Sequence, residues 1–554
     1  MAGFSSVSAV IFAVAVAVRL VYLRLLPKPI PGIPCNKDSA TRLLGDAQYF
    51  IDLDKAGEFW VKFFTDLLAR HKTPIAQYFP GPFESTHIVI GDYRETRDLM
   101  TKRSKDFGRG YKNNATWQGL FPEHFIAMDD FHPSFKDAKF LTKDLMTPSF
   151  LHGVSAPASY KTVMNFIKLW KVKAAMAHGL PFDAAEDLEG FTYDIMMTAA
   201  FGIEEQNSYT LDRLRTVQKS NKVEINGDAS IQLSQRNFPV NCTEDHSYDK
   251  QLPSSVRRAF RSKRRIVQSY IDRSVEKLSQ SCSKEEFASA VDYVVSREKS
   301  AAESAGRRPA FHSLRMSDML WGYLVGGQDS THSTLCFAVK YLGANQDAQS
   351  KLRRTLSLAY PEAIEENRQP TIEEIIKTQI PFLDGFIEET LRMCSPAAAV
   401  TKEALCDMTV LGHVIPKGTP IMFLLTGPTL SVPGAEVEET KRSETSQKLS
   451  SEGLGDWSQS PFPPGKFHAE RWLQADENGD VKFNNRAGPF MSFSNGPRGC
   501  WGKRLAYLEL KLIITLLVWN LEFIRPPTEK DENVLIEGLF TKPKSCLVKL
   551  ESRT

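Results

Sequence analysis

Cysteine is scarce in this sequence, eight among 554 residues, which is far too few for a disulfide-stapled scaffold. An excess of charge of either sign is missing too. The 69 lysines and arginines face 66 aspartates and glutamates, so the chain as a whole gives no reason to expect a nucleic-acid partner. No internal repeat and no heptad run is visible, which argues against solenoids and coiled coils. What the chain does have is a hydrophobic fraction of 42% and an aromatic fraction of 10%. That is the composition of a sizeable buried core, not of a disordered or collagen-like chain.

Gly3 to Val18 is almost wholly apolar, and the run continues through Leu20, Val21 and Leu23 to Leu26 with only Arg19 and Arg24 interrupting. A helix over 3–26 reaches the roughly 30 Å hydrocarbon core of a bilayer if both arginines snorkel. No lysine or arginine precedes the run and positive residues follow it, so a retained single-pass anchor is read in preference to a cleaved signal peptide. Arg19, Arg24 and Lys28 then place the following chain on the cytosolic, reducing side. Residues 27–34, PKPIPGIP, form a proline-rich hinge, too stiff for a helix. Residues 35–554 are expected as one globular domain.

From about residue 50 to 400 apolar positions recur mainly at helical spacing, as in Leu320, Leu324, Gly327, Thr331, Leu335, Ala338 and Leu342. Strand-like alternation is confined to short pieces, notably 87–90 and the run VTKEALCDMTVLGHVIPKGTPIMF, where Gly412 and Gly418 supply turns. The fold class is therefore mostly α with small β sheets. Two stretches read as mobile surface insertions, 226–253 and 431–465. Between them, SSVRRAFRSKRRIVQSYIDR reads as an amphipathic helix with a solvated or membrane-grazing basic face, not a nucleic-acid site.

The chemistry is concentrated near the carboxyl end, in Phe493-Ser-Asn-Gly496-Pro-Arg498-Gly-Cys500-Trp-Gly502. A cysteine at a helix start faces unpaired N–H groups and the positive dipole end, both of which stabilise thiolate over thiol. Gly496 and Gly502 remove side chains on either side of it, and Arg498 offers a fixed cation. The segment resembles the haem-binding signature F-x-x-G-x-R-x-C-x-G of the cytochrome P450 family, matched in full. The resemblance implies a cytochrome P450 fold behind one N-terminal transmembrane helix, haem b as cofactor, and Cys500 as axial thiolate of the iron, with Phe493, Gly496, Arg498 and Gly502 around it.

Further elements follow in the family's order. Glu389-Thr-Leu-Arg392 puts a carboxylate and a guanidinium on one helical face. Such a pair is usually a surface ion pair, but here it resembles the family's E-x-x-R, and Arg471 in Phe467-His-Ala-Glu-Arg-Trp resembles the third member of its buried Glu-Arg-Arg network. LVGGQDSTHSTL resembles the oxygen-binding helix, in which missing side chains at Gly326 and Gly327 and an opened hydrogen-bond ladder make room for dioxygen. By that likeness Asp329 and Ser330, with Thr331 following, relay protons to the iron-bound oxygen; the plain alternative is a serine bonding back to a carbonyl one turn earlier. KFLTKDLMTPSF, 139–150, is a poorer match, with lysines where a tryptophan and an arginine are usual. Lys143 or His132 is left to meet a haem propionate. Substrate-facing positions are expected in a loop at 111–125, before Gly326, at Ala397 to Val400, and near Leu539 and Phe540.

The resemblance implies a membrane-anchored haem-thiolate monooxygenase of the endoplasmic reticulum, single-pass and with its catalytic domain cytosolic. It would act on a lipophilic small molecule, in specialised metabolite biosynthesis, with O2 and with electrons from NADPH-cytochrome P450 reductase. Lys503, Arg504 and Lys511 are candidates for the docking surface. Two other readings stand beside it: a haem-thiolate isomerase or dehydratase that needs no reductase, and a non-catalytic haem sensor.

Overall fold

The helical spacing around Leu320 to Leu342 becomes a 31-residue helix, Leu314–Ala344, opened by Ser313, whose side chain accepts from the Met316 N–H. In the computed structural model, which describes residues 2–129, 131–220, 254–280, 287–451, 457, 460–527, 535–536 and 540–553, this long helix joins two cores. Its carboxyl half, through Leu335, Ala338 and Leu342, packs with Phe166 and Trp170 of helix Ala156–Ala177, with Phe386 of helix Pro381–Met393 and with Leu512 and Leu516 of helix Lys503–Asn520. Its amino half, through Met316, Leu320 and Leu324, packs with Val267 and Ile271 of helix Ser254–Gln280 and with Leu505. Burial of such side chains is worth roughly 1.5–3 kcal/mol each.

The largest sheet runs in the order Ile75–Tyr78, His87–Ile90, Pro420–Leu424, Ala399–Ala404, Phe107–Gly108. Only the pair His87–Ile90 with Pro420–Leu424 is parallel within it. Between the last long strands, Met408–Val410 pairs with His413–Ile415 across Leu411 and Gly412. Both turn residues have positive φ, 51° and 80°, as a two-residue hairpin turn of the right twist requires.

Glu389, Arg392 and Arg471 meet in the interior. The Arg392 guanidinium donates to both oxygens of Glu389 at 2.8 Å, and Arg471 Nε donates to Oε1 at 3.2 Å. Trp472 Nε1 and the His468 N–H complete the set at 2.9 and 3.0 Å. All three charged side chains are 0% exposed, so this is a buried network whose members must stay paired. Trp472 supplies through its indole N–H a hydrogen bond that a phenylalanine there would lack.

Three expectations are corrected. The stretch 431–465 is tied down where it is described: Arg442 forks onto Asp92 at 2.6 and 2.8 Å, Arg94 pairs with Glu439, and Ser443 donates to Asp98 at 2.8 Å. The stretch 226–253 lies outside the described residues. Helix Ser254–Gln280 forms as expected, but Lys263 leaves its basic face, buried with its Nζ 2.7 Å from Asp318 Oδ1. Residues Ala2–Leu25 form one helix with Val10, Ile11, Phe12 and Val14 exposed. Among the described residues, however, no helix is long and apolar enough to cross a membrane; Arg19, Arg24 and the serines near the amino end dilute the run.

Glu389→Ala should leave two buried guanidinium groups uncompensated and destabilise the fold by about 3–5 kcal/mol. Thermal unfolding of the purified protein checks this. A melting midpoint equal to that of the unsubstituted protein would show that the network carries no stability.

Candidate active site

Cys500 precedes Gly502, the N-cap of helix Lys503–Asn520, by two residues. Its loop is closed by the Cys500 N–H donating to the Phe493 carbonyl at 2.8 Å, the Ser494 N–H to Met491 at 2.7 Å and the Gly499 N–H to Gly496 at 3.0 Å. Gly496 has φ 72°, and a Cβ there would stand 1.9 Å from the Met100 carbonyl oxygen. Helix Tyr93–Thr101 therefore leaves no room for a side chain at this position. A Cβ on Gly502 would touch the Cys500 sulfur at 3.9 Å.

The electrostatics at the sulfur also differ from expectation. Burial pushes the Cys500 thiol up, while the Gly502 and Lys503 N–H groups and the Lys503 ammonium pull the other way without prevailing. Helix-end N–H groups alone thus do not make a thiolate here; a bound metal cation would. The residue is nevertheless exposed, so it faces open space despite being hemmed in by protein.

Trp501 brings this loop to the long helix, its ring edge-on to Tyr323 at 6.5 Å. Tyr323 is three residues before Gly326. The helix is continuous through Gly326 and Gly327, so the expected opening of its hydrogen-bond ladder is absent. The two glycines have different reasons. A Cβ on Gly326 would meet nothing within 4 Å, whereas one on Gly327 would strike Met196 at 2.5 Å. Gly327 is needed for packing on helix Ala185–Phe201, and Gly326 faces open space. Residues 316–320 and 331–339 of this helix are buried, yet none from 325 to 330 is, and Gly326 is exposed.

Ser330 Oγ donates to the Gly326 carbonyl at 2.7 Å, the back-bond that a helical serine ordinarily makes. The Asp329 carboxylate pairs with Lys542 Nζ at 2.5 Å. Thr331 is buried, and its hydroxyl bonds Glu509, whose carboxyl is pushed up to about 8 by burial.

Around the loop the candidate cations differ in what they face. Lys143 is exposed, its Nζ 4.5 Å over the Phe140 ring, and His132 is exposed, its Nδ1 accepting from the Ser134 N–H. Lys139 instead shares the cleft of Cys500. Its Nζ lies 5.8 Å over the Phe135 ring, which also carries the Arg498 guanidinium at 4.8 Å. Arg498 donates to the carbonyls of Met128 at 2.9 Å and Phe125 at 3.3 Å. Arg109, which sequence reasoning missed, reaches the Ile126 carbonyl of the same turn. Its only signal was a cation between two glycines, Gly108 and Gly110. His124, buried beneath these cations, is held down to about 3 by burial and by Arg109, Lys263 and Arg498. Of the other positions singled out, 111–120 is a helix, not a loop. Ala398 is buried beside strand Ala399–Ala404, and Leu539 lies outside the described residues. Lys511 turns inward to donate to the Thr378 carbonyl at 2.7 Å, while Lys503 and Arg504 remain exposed.

The residues fit a haem. A soft sulfur donor faces open space on a loop that meets the long helix through Trp501 and Tyr323, that helix carries no side chain at Gly326, and two guanidinium groups converge on the flanking turn.

Comparison with known proteins agrees. The cytochrome P450 family model matches residues 49–428 and 462–550. A cytochrome P450 monooxygenase of Fusarium sporotrichioides is 32% identical, over 96% of this chain and 97% of its own length. One of Pestalotiopsis microspora is 30% identical, over 99% and 98%. A third, named as a cluster cytochrome P450 monooxygenase, of Dothistroma septosporum, is 35% identical over 48% of this chain and 87% of its own. The chain belongs to the cytochrome P450 family, haem-thiolate enzymes whose iron is held by a cysteine, and it is a monooxygenase of that family.

Proposed function

We propose that this monooxygenase oxidises a lipophilic small molecule in specialised metabolite biosynthesis, taking electrons from NADPH-cytochrome P450 reductase at the endoplasmic reticulum membrane. The observation that carries the chemistry is the contact of the Cys500 loop with the long helix through Trp501 and Tyr323, one turn before the 325–330 segment in which no residue is buried. The cluster named in the relative from Dothistroma septosporum supports the pathway type. Ala397, Ala398 and Ala399 support an apolar substrate, since small side chains leave room for one. Exposed Val10, Ile11 and Phe12 on helix Ala2–Leu25 support attachment to a membrane, with the catalytic body on the cytosolic side. Exposed Lys503 and Arg504 support an acidic docking partner on the cysteine face.

When bound, haem supplies activation of dioxygen and insertion of one oxygen atom into a substrate bond. Cys500 Sγ holds the iron, and the Gly502 and Lys503 N–H groups temper the charge on the sulfur. Arg498 and Arg109 would hold the haem's propionates with their guanidinium groups, and Lys139 lies in the same cleft as Cys500. Ser330 donates a proton into the site from its hydroxyl and is reprotonated from Asp329. Thr331 is left out of the proposed relay, since it is buried and its hydroxyl bonds Glu509 in the interface with helix Lys503–Asn520.

Cys500→Ser should abolish the thiolate-type carbon monoxide spectrum of the reduced protein; retention of that spectrum would remove Cys500 as the ligand. Ser330→Ala and Asp329→Asn should keep the spectrum and lower product formation by about 10²-fold. Screening the enzyme, with reductase and NADPH, against terpenoids, polyketides, sterols and fatty acids supplies the substrate for that measurement, and unchanged product formation would exclude both residues. Deleting residues 2–26 should release the protein from microsomal vesicles in a flotation assay, and co-flotation of the truncated chain would refute attachment through this helix.

A further inference from the structure

The C-terminal segment that carries Lys542 has no part in the chemistry derived so far, yet it is fastened along the long helix. Ser333 Oγ donates to the Thr541 carbonyl, Lys340 Nζ donates to the Ser545 carbonyl at 3.2 Å, and the Thr541 N–H donates to the Pro396 carbonyl at 2.9 Å. Lys542, in strand Lys542–Pro543, is thereby held at a fixed height beside Asp329. Its Nζ stands 2.5 Å from Asp329 Oδ1, with the two side chains only 23% and 15% exposed. Exposed ion pairs are worth little and come apart readily; a pair this covered, on an anchored backbone, keeps one geometry.

That geometry keeps the relay apart. Neighbouring helical residues diverge by about 100° and do not face each other. Ser330 is turned back to Gly326, and Asp329 is turned to Lys542. A proton can pass from the carboxyl to the hydroxyl only once the Asp329 side chain leaves the lysine, directly or through an intervening water. Lys542 also bears on His332, one turn along, whose ring faces Glu189 and Cys336 as well. The cation therefore sits among the titratable groups of the long helix, beside Asp329 and His332.

We infer that Lys542 is a positioning residue that holds Asp329 out of contact with Ser330 and so limits proton delivery until the pair opens. This rests on the reading of Asp329 and Ser330 as the relay. Without the lysine the carboxyl is free to reach the site at any time, and more of the electron flow ends in hydrogen peroxide. In that side reaction NADPH, one proton and O2 give NADP+ and H2O2, the two electrons passing through the reductase.

The test uses full-length holoenzyme, unsubstituted and as Lys542→Met, Lys542→Gln and Lys542→Arg, with NADPH-cytochrome P450 reductase and no added substrate. Two quantities are read: peroxide released and NADPH consumed, and the infrared stretch of carbon monoxide on the reduced enzyme, which senses donors free to approach the ligand and requires no turnover. Expected for Lys542→Met and Lys542→Gln are NADPH consumption raised about threefold, mostly to peroxide, and a broadened carbon monoxide band displaced to lower frequency. Lys542→Arg, which keeps the charge, should restore both. Unchanged or slower NADPH consumption with an unchanged band in the neutral variants, or equal effects in all three, would overturn the inference. Absence of a carbon monoxide complex in the unsubstituted enzyme would instead refute the haem-thiolate reading itself.

Discussion

A carboxylate taken out of water must be met by donors or it costs several kcal/mol, and the architecture around Glu389 is the answer to that requirement. Its two oxygens are met by Arg392, Arg471, Trp472 and the His468 N–H. The arginines in turn hold backbone outside the network: Arg392 reaches the Leu430 carbonyl, and Arg471 reaches those of Phe462 and Pro463 at 2.9 and 2.8 Å. One charge thus fixes helix Pro381–Met393, the 466–472 turn and the end of the stretch before it. The same helix holds the cysteine loop from both sides. Ser492 donates to the Leu391 carbonyl at 2.6 Å ahead of the cysteine, and Tyr507 donates to Glu388 after it. Glu388 has no such cation pair, and burial raises its carboxyl to about 7. Adjacent glutamates on one helix therefore do different work, one as an ion and one close to neutrality, because only one of them is given guanidinium partners.

Anchoring of this kind explains why the sulfur need not be charged in advance. A thiol pushed up by its surroundings is a poor anion, but its position is fixed by the Phe493, Met491 and Gly496 carbonyls and by the helix behind it. A bound metal would supply the electrostatic reason for ionisation, while the protein supplies the place. The glycines divide in the same way. Gly496 and Gly327 exist for protein contacts, with Met100 and Met196, and Gly326 alone among the three opens into space.

The parts legible in the sequence were those governed by local rules. Periodicity gave the long helix, alternation gave strand His87–Ile90, and the hairpin turn was signalled by Gly412. The loop chemistry around Cys500 and the Glu389–Arg392 spacing were legible because each is a short motif with a physical reason. What could not be read were pairings between distant segments. Nothing near Lys542 in the chain announces Asp329, nothing near Lys263 announces Asp318, and the polar composition of 431–465 hid its ion pairs to Asp92 and Arg94. Whether Lys139 or Lys143 turns to the cleft of Cys500 was hidden for a related reason. Both are lysines at one-turn spacing, and which of them turns to the cleft is decided by Phe135 and Phe140, whose positions depend on the packing of the whole segment.

Helical geometry finally separates two hydroxyls that are neighbours in the chain. A turn of about 100° between Ser330 and Thr331 sends the first towards Gly326 and the open segment and the second into the interface with helix Lys503–Asn520, against Glu509. Glu509 is fully buried, with one carboxyl oxygen unpartnered and Tyr323 close enough to feel its charge. A neutral acid is the form such surroundings favour, and a neutral acid needs a hydroxyl partner more than it needs a cation. Thr331 meets that need, so the structural role and the relay role fall to different residues. Exchanging the two side chains would then not be neutral: a threonine at 330 keeps the hydroxyl and adds only a methyl beside the open segment, whereas a serine at 331 removes a methyl from a buried interface, where lost packing is felt.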